Sequence, residues 1–302
     1  MSLSNLPFAP VIKRSLKKVT VKCGLDPCQN QQLMRGIPVT RQGIRVGQVW
    51  YCGVDCFVQA ASQVYNRISN RRVVEIPRAP RLPLGLALLL KGCVTAERLR
   101  WAAEQSVWQG ESLETALLRL GLTTEKQLAV ARSAQWGYPV LAQEHIGHMV
   151  QAELPRTILE ECSSVPFHYS RAAKRILLGF AHCIDHSLLE SVEHITGCRV
   201  EPCFVTHMDL IEQLERLTCA ADYNEILIGD PCTPEEMAFT AGQLAVEAAA
   251  REASFTHCRN HAWTRLTGKW GVVDVIFRMK NAAPEEALGK TDYGDEAASS
   301  FG

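Results

Sequence analysis

The chain has 302 residues, of which 47% are hydrophobic and 21% are charged, a composition typical of soluble globular proteins that excludes a largely disordered chain. Its 32 basic and 32 acidic residues balance, and the length predicts about two domains. No run approaches the ~18 apolar residues that cross a bilayer, and no signal-peptide pattern is recognisable, so we predict a cytoplasmic protein whose 12 cysteines do not form a disulfide framework.

The N-terminal part of the chain is basic. In residues 1–81 the acidic residues are Asp26, Asp55 and Glu75, whereas lysine and arginine are frequent. We predict a flexible basic leader over residues 1–20. Such asymmetry favours contact with nucleic acid, anionic lipid or an acidic protein surface, and a solvated face beside a domain boundary is the alternative.

Four cysteines lie in two closely spaced pairs, Cys23 with Cys28 and Cys52 with Cys56. Two such pairs supply the four thiolate ligands of a tetrahedral zinc ion. The second pair leads directly into a predicted helix that begins at Phe57, as in treble-clef zinc modules. We therefore predict a structural zinc site, with four unrelated free thiols as the alternative. A closed four-thiolate site has no position for a catalytic water.

The next predicted elements are a linker and short helices. Three prolines between Ile76 and Pro83 predict the linker. From Leu84 onward, apolar residues recur at spacings of three and four, which predicts short amphipathic helices. Thr95 and the pair Thr123-Thr124 precede acidic residues and are predicted helix N-caps.

After Pro139 the pattern predicts a small α/β layer. Its predicted strands and helices are strands 165–170, 175–181 and 199–205 and helices 187–196 and 208–217. A polar stretch follows, and then a helix from Thr233 to about Glu252 and two strands, 255–266 and 272–279. The acidic C-terminal residues are predicted to be disordered.

Two polar motifs in this part of the chain are candidate sites. The motif His182-Cys-Ile-Asp-His186 holds metal-capable residues, but third and fourth ligands are not evident, which favours a capped turn. Alternation along the strand predicted over 255–266 would place His257, Arg259 and His261 on one face. A polar strand face is the default interpretation there, and a binding surface is the alternative.

Residues 84–105 and 113–135 carry the same succession of residues at an offset of about 29. The first copy contains Leu84, Gly85, Leu88, Gly92, Val94, Leu99 and Gln105; the second contains Leu113, Leu117, Leu120, Gly121, Leu128 and Gln135. This tandem motif resembles the N-terminal domain, of the MshEN type, of type II secretion and type IV pilus assembly ATPases. The resemblance continues to about residue 218.

Some members of that family bind cyclic di-GMP, and the resemblance implies where such a ligand would lie. The implied ligand residues are Arg81, Leu84, Gly85, Leu88, Gln105, Leu113, Leu117 and Gln135. The family has an arginine directly before each Leu-Gly pair. Here Pro83 takes the first of these positions, Ser112 takes the second, and Glu114 replaces the second glycine. Glu114 brings a negative charge and a Cβ to a place where a phosphate would approach.

The sequence contains no P-loop with the residues that follow it in an ATPase core, so we predict that the chain is not an enzyme. The predicted fold is α+β and multidomain. Its parts are the basic leader (1–20), a four-cysteine, treble-clef-like zinc module (21–76), a Pro-rich linker (77–83), a domain like the secretion-ATPase N-terminal domain, with helical tandem repeats and a small α/β layer (84–218), a helix plus β-hairpin (219–280) and an acidic tail (281–302).

Three functions agree with these features. The first is a bacterial cytoplasmic adaptor that binds a protein partner, such as a secretion or pilus-type assembly at the inner membrane. The second is a cyclic di-GMP receptor with a degenerate site. The third is a nucleic-acid binder that uses the zinc module and the basic leader, which the lack of interleaved aromatic residues disfavours.

Overall fold

The structure, a computed structural model, describes five stretches of the chain. They are residues 19–34, 43–70, 82–141, 150–217 and 223–280. Arg81, most of the predicted basic leader and Pro-rich linker, and the predicted acidic tail lie outside the described residues.

The four-cysteine segment folds into two hairpins and one helix. Its elements are β1 (Val19–Lys22), β2 (Gln31–Met34), β3 (Ile44–Val46), β4 (Val49–Tyr51) and α1 (Val54–Ser69). β1 pairs with β2 and β3 pairs with β4, both antiparallel. A knuckle, a hairpin and then a helix agree with the treble-clef-like arrangement predicted from the sequence.

The tandem motif forms two helix–turn–helix repeats. Their helices are α2 (Leu84–Leu90), α3 (Ala96–Gln109), α4 (Leu113–Arg119) and α5 (Glu125–Trp136). Each turn contains a left-handed glycine, Gly92 or Gly121, and each second helix begins after a threonine N-cap, Thr95 or Thr124. Because α2 packs against α5 and α3 against α4, the two repeats share one apolar core.

The α/β layer follows the repeats. Its elements are α6 (Arg156–Glu161), β5 (Ser164–Ser170), β6 (Arg175–Phe180), α7 (His186–Thr196), β7 (Arg199–Phe204) and α8 (His207–Arg216). β5 and β6 are antiparallel, whereas β6 and β7 are parallel and connected through α7. The strands and helices predicted for this layer are confirmed to within about one residue, and α6 is additional.

The C-terminal elements are β8 (Tyr223–Cys232), α9 (Pro234–Glu247), β9 (Ala250–Cys258), β10 (His261–Gly268) and β11 (Gly271–Met279). They combine with the four-cysteine segment in a six-stranded sheet with the order β4-β3-β9-β10-β11-β8. The connection is made by β3, which pairs parallel to β9. Segments far apart in sequence therefore form one sheet.

One face of this sheet is covered by α1 and α9, which pack against each other. Gly242 of α9 permits this approach, because a Cβ there would lie 2.4 Å from Val58 Cγ2. The buried Tyr65 hydroxyl lies 2.5 Å from the Thr264 hydroxyl, and the Tyr65 ring meets Phe255 edge-on. The four-cysteine segment and residues 223–280 thus share a core; the domain boundaries predicted for them stay predictions.

The other face of the six-stranded sheet packs against the α/β layer. Trp263 and Ile276 are fully buried in the core of that layer. Glu225 of β8 accepts hydrogen bonds from the backbone N–H groups of Arg156, at 2.7 Å, and Thr157, at 3.1 Å, so that it caps the N-terminus of α6. The six-stranded sheet therefore lies between the α1–α9 pair and the α/β layer.

Three expectations for the C-terminal segment are wrong. The helix predicted from Thr233 to about Glu252 ends at Glu247, because the chain turns at Ala249, whose φ is +46°, and enters β9. The single strand predicted over residues 255–266 is broken at Arg259, whose φ of +50° turns the chain between β9 and β10. His257, Arg259 and His261 consequently do not share one strand face. The polar stretch predicted after the α/β layer contains β8; the Gly229-Asp-Pro231 end of this strand obscures its pattern in the sequence.

None of the helices in the described stretches combines the length and the hydropathy needed to cross a membrane.

Candidate metal centre and tandem-repeat site

The four predicted metal ligands meet in space. The Sγ atoms of Cys23, Cys28, Cys52 and Cys56 all lie within 4.8 Å of one another. Cys28 Sγ is 3.5 Å from Cys52 Sγ, which is 3.6 Å from Cys56 Sγ. Four thiolates at ~2.3 Å from a tetrahedral ion are separated by about 3.8 Å. The two shorter separations are close to this value, and the group could hold a metal ion.

Backbone hydrogen bonds hold the two knuckles together. The N–H group of Cys23 donates to Asn30 O at 3.0 Å, which closes the first knuckle, and that of Gly24 donates to Trp50 O at 2.8 Å, which connects it to the second. A Cβ on Gly24 would lie 2.0 Å from Val49 Cγ1, so a larger residue at this position would displace the Val49 side chain. The second knuckle is completed by Cys56 in the first turn of α1.

The thiols influence one another's ionisation. Asn30 Nδ2 donates to Cys52 Sγ at 3.3 Å, and this hydrogen bond lowers the pKa of Cys52. Burial and then hydrogen bonds with Cys52 and Cys28 raise the pKa of Cys56. Because crowded thiols resist joint deprotonation, a cation is needed to stabilise four thiolates here. This donor set fits a thiophilic metal.

Three apolar residues that the resemblance implies as ligand contacts are packed inside the helical core. Leu84, Leu88 and Leu117 are at most 3% exposed. Gly85 is partly buried, and a Cβ there would lie 3.1 Å from Leu99 Cδ2. Gln105, Leu113 and Gln135 are also partly buried, and Arg81 lies outside the described residues. The implied ligand set stays a prediction.

The two departures in the second repeat both have structural partners. The Ser112 hydroxyl accepts a hydrogen bond from the N–H group of Thr115 at 3.1 Å and caps α4. The Glu114 carboxylate accepts a charge-assisted hydrogen bond from Arg132, which is only 5% exposed. The same guanidinium donates to the carbonyl oxygen of Ala181, at the end of β6. Glu114 is thus part of a bridge between the second repeat and the α/β layer.

Glu114 is ionised in this bridge. Burial by itself would raise the pKa of the Glu114 carboxyl group. The nearby His182 side chain and then the charge and hydrogen bond of Arg132 outweigh burial and lower this pKa. His182 Nδ1 lies 3.7 Å from Glu114 Oε2 and 3.2 Å from Arg132 Nη2. The second repeat therefore presents a carboxylate where the family has a glycine.

The motif His182-Cys-Ile-Asp-His186 contains the predicted capped turn. Asp185 accepts hydrogen bonds from the backbone N–H groups of Ser187, at 2.9 Å, and Leu188, at 3.2 Å, and caps α7. It also accepts one from Arg259 Nε at 2.7 Å. Within the described stretches, the four-cysteine group is the cluster of three or more potential metal ligands that comes together.

An exposed aromatic surface on α3 was not predicted from the sequence. Trp108 is 82% exposed, Val107 is 83% exposed and Trp101 is 46% exposed; we call these three residues the α3 surface. The spacing of seven residues places both tryptophans on one side of the helix, which is the signal that could have revealed it. At the position of Val107 the second repeat has Trp136, whose ring packs edge-on against Phe204 of β7 at 6.3 Å.

Comparison with known proteins found one curated relative and several solved structures. No protein-family model matches the chain. A stretch of 121 residues is 35% identical to the type IV pilus assembly ATPase PilB of Thermus thermophilus. The match covers 39% of this chain and only 14% of PilB.

The solved structures include MshE with cdg, which is 20% identical, covers 45% of this chain and 99% of that chain, and has a TM-score of 0.35. The N-terminal domain of XpsE is 22% identical, covers 45% of this chain and 93% of that chain, and has a TM-score of 0.34. The similarity to PilB confirms that about two fifths of this chain resembles part of a type IV pilus assembly ATPase.

Proposed function

We propose that this chain is a non-enzymatic cytoplasmic adaptor that binds a protein partner through the α3 surface. The observation that carries this proposal is the difference between the two repeats. In the second repeat, Trp136 is packed against the chain's own α/β layer. At the matching position of the first repeat, Val107 and its neighbour Trp108 are more than four-fifths exposed.

Exposed tryptophans in a cluster are characteristic of binding surfaces. Isolated apolar residues on a surface are common, but tryptophan is enriched among the residues that dominate binding energies. Because Trp136, the residue of α5 that matches Val107, contacts a sheet layer, we infer that the partner of the α3 surface is a folded protein with an apolar layer of its own. The resemblance to secretion and pilus ATPase domains suggests a component of such an assembly, at the inner membrane.

Site-specific photo-cross-linking tests this proposal. A photoreactive phenylalanine analogue replaces Val107 in the full chain inside the producing cell, and cross-linked proteins are identified by mass spectrometry. The matched control carries the same analogue at Ala134, an exposed position on α5. We expect a specific cross-link from position 107 to a secretion or pilus-type component, and none from position 134.

The interaction is then measured with the purified partner. Trp108→Ala should weaken binding by at least about tenfold, since truncation of a central tryptophan typically costs ~2 kcal/mol or more of binding free energy. Equal cross-linking from positions 107 and 134, or unchanged affinity of the Trp108→Ala variant, would show that the α3 surface is not the binding site.

We further propose that the four-cysteine group holds a structural zinc ion. The convergence of the four sulfur atoms within 4.8 Å and the all-cysteine donor set support this metal. Purified protein should contain one zinc per chain, and cobalt substitution should give the intense visible bands of a tetrahedral thiolate site. Cys28→Ser should remove these bands, while Cys93→Ser, outside the group, should retain them. A metal-free, fully folded chain would contradict the proposal.

Two alternative functions have weaker support. The tandem motif favours a cyclic di-GMP receptor. Pro83 and Ser112, which stand where the resemblance implies arginines, oppose it because they offer a phosphate no cation. A nucleic-acid binder would depend on the basic residues near the N-terminus, most of which lie outside the described residues.

A further inference from the structure

Two buried cysteines outside the metal centre lie against each other. Cys162 Sγ is 3.8 Å from Cys258 Sγ, and the residues are only 2% and 1% exposed. Cys162 follows the last turn of α6, and Cys258 is the last residue of β9. The pair therefore joins the α/β layer to the six-stranded sheet, across 96 positions of the sequence.

The position of both residues in the fold suits bond formation. A disulfide has an S–S distance of about 2.05 Å, so the sulfur atoms must approach by roughly 1.8 Å. Each cysteine ends a regular element and precedes a left-handed residue, Ser163 with φ +47° or Arg259 with φ +50°. A backbone at such a junction adjusts more easily than one inside a helix or a strand.

The surroundings of the pair are polar on one side. Cys162 Sγ lies 3.8 Å from Asp185 Oδ2, and Cys258 Sγ lies 3.7 Å from the Ser187 hydroxyl. Arg259 binds Asp185 and, through Nη1 at 2.7 Å, the carbonyl oxygen of Glu161. The contact with Cys258 and then burial raise the pKa of Cys162, while the charge of Arg259 opposes this rise. The charge of Asp185 adds to the rise, so that Cys162 is a neutral thiol in the folded chain.

We propose that Cys162 and Cys258 are a modification site that closes to a reversible disulfide on exchange with a low-molecular-weight disulfide such as glutathione disulfide. When the ends of α6 and β9 open locally, one of the two cysteines loses its proton, attacks a sulfur of glutathione disulfide and releases one glutathione thiolate. The second cysteine then attacks the mixed disulfide and releases the other. The two protein thiols lose two protons and two electrons, and the oxidant is reduced to two thiols.

The bond would fasten the end of α6 to the end of β9. Because it closes a loop of nearly 100 residues, it restricts the unfolded chain strongly. We expect the midpoint temperature of unfolding to rise by roughly 5–10 °C in the oxidised protein. Dithiothreitol should reverse this increase.

Peptide mapping tests the proposal on the full, metal-loaded chain. After incubation with glutathione disulfide, remaining thiols are alkylated in denaturant and the protein is digested with trypsin. The tryptic peptides 157–171 and 252–259 contain one cysteine each, Cys162 and Cys258. We expect them to be recovered joined, with a mass two hydrogens below the sum of the free peptides.

Controls separate this bond from general oxidation. Cys162→Ser should abolish both the joined peptides and the temperature shift, whereas Cys203→Ser, a change at another buried thiol, should retain them. The exposed Cys183 reports that the oxidant has reacted, through its glutathione adduct. The proposal is overturned if Cys183 is fully modified in folded protein while Cys162 and Cys258 are recovered as free thiols or joined to other cysteines.

Discussion

The two helix–turn–helix repeats share their local structure but differ in their surroundings. Both turn at a left-handed glycine and both begin the second helix at a threonine N-cap, and these residues lie 29 positions apart. The second repeat is nevertheless attached to the α/β layer, whereas the first leaves Trp108 in solvent. The residues that form the helix pair are thus different from the residues that decide whether the pair contacts the α/β layer.

The difference can be traced to three pairs of matched positions. Gly85, Ala103 and Val107 in the first repeat correspond to Glu114, Arg132 and Trp136 in the second. The second set supplies an ion pair, a donor for the Ala181 carbonyl oxygen and an aromatic contact with Phe204. The first set supplies none of these groups, because its side chains are absent, small or aliphatic. The attachment of a repeat to the α/β layer therefore depends on a few side chains, while the helix–turn–helix backbone is the same in both repeats.

The largest expected effect comes from breaking the buried ion pair. Arg132→Met should reduce the free energy of unfolding by about 3 kcal/mol, because it leaves Glu114 without its cation and the Ala181 carbonyl oxygen without its donor. Arg119→Met is the matched control, since the Arg119–Glu111 pair is more exposed and should contribute about 0–1 kcal/mol. Urea denaturation, monitored by circular dichroism, measures the unfolding free energies of both variants. Equal losses in the two variants would mean that Arg132 does not attach the repeat.

Truncation of Trp136, which matches Val107 in the first repeat, should reduce the unfolding free energy by a smaller amount. Trp136→Ala removes a partly buried ring from Phe204 and should cost about 2–3 kcal/mol of unfolding free energy. Val107→Ala, at the same position of the first repeat, should change it by less than about 0.5 kcal/mol. Thermal unfolding of the two variants compares them directly. Similar destabilisation by both changes would indicate that α3 is also covered.

The smallest expected effect is the pH dependence of the unfolding free energy that Glu114 contributes. The pKa of Glu114 is lowered from its ordinary value of 4.5 in the folded chain, so its contribution is present above that value and is lost as pH falls through the folded pKa. Wild type should therefore exceed Glu114→Gln in stability at pH 7, and the difference should shrink below about pH 5. Unfolding free energies at a series of pH values check this. A difference that grows towards acid pH would have the wrong sign.

Local patterns in the sequence were sufficient to predict the repeats, most of the α/β layer and the four-cysteine group. The caps at Thr95 and Thr124 depend on neighbouring residues, and the cysteine pairs carry their spacing in the sequence. Such features could be predicted because each is determined by residues that are close together in the sequence.

Features that depend on distant contacts could not be predicted. Arg132 and Ala181 are 49 positions apart, and no local pattern connects them. Arg45 and Glu252 form an ion pair beside the β3–β9 pairing, across 207 positions. Glu114 was interpreted as an obstacle to a phosphate, but its buried partner could be found only in three dimensions. Tertiary packing, rather than propensity, decides these positions.

The most direct test of the account is calorimetric titration of the zinc-replete full chain with cyclic di-GMP. If Glu114 and Arg132 commit the second repeat to the chain's own α/β layer, no saturable heat should appear up to about 100 µM ligand, which corresponds to a binding free energy weaker than roughly −5.5 kcal/mol. Binding at micromolar or tighter affinity, with the fold intact, would contradict this account and identify the chain as a second-messenger receptor.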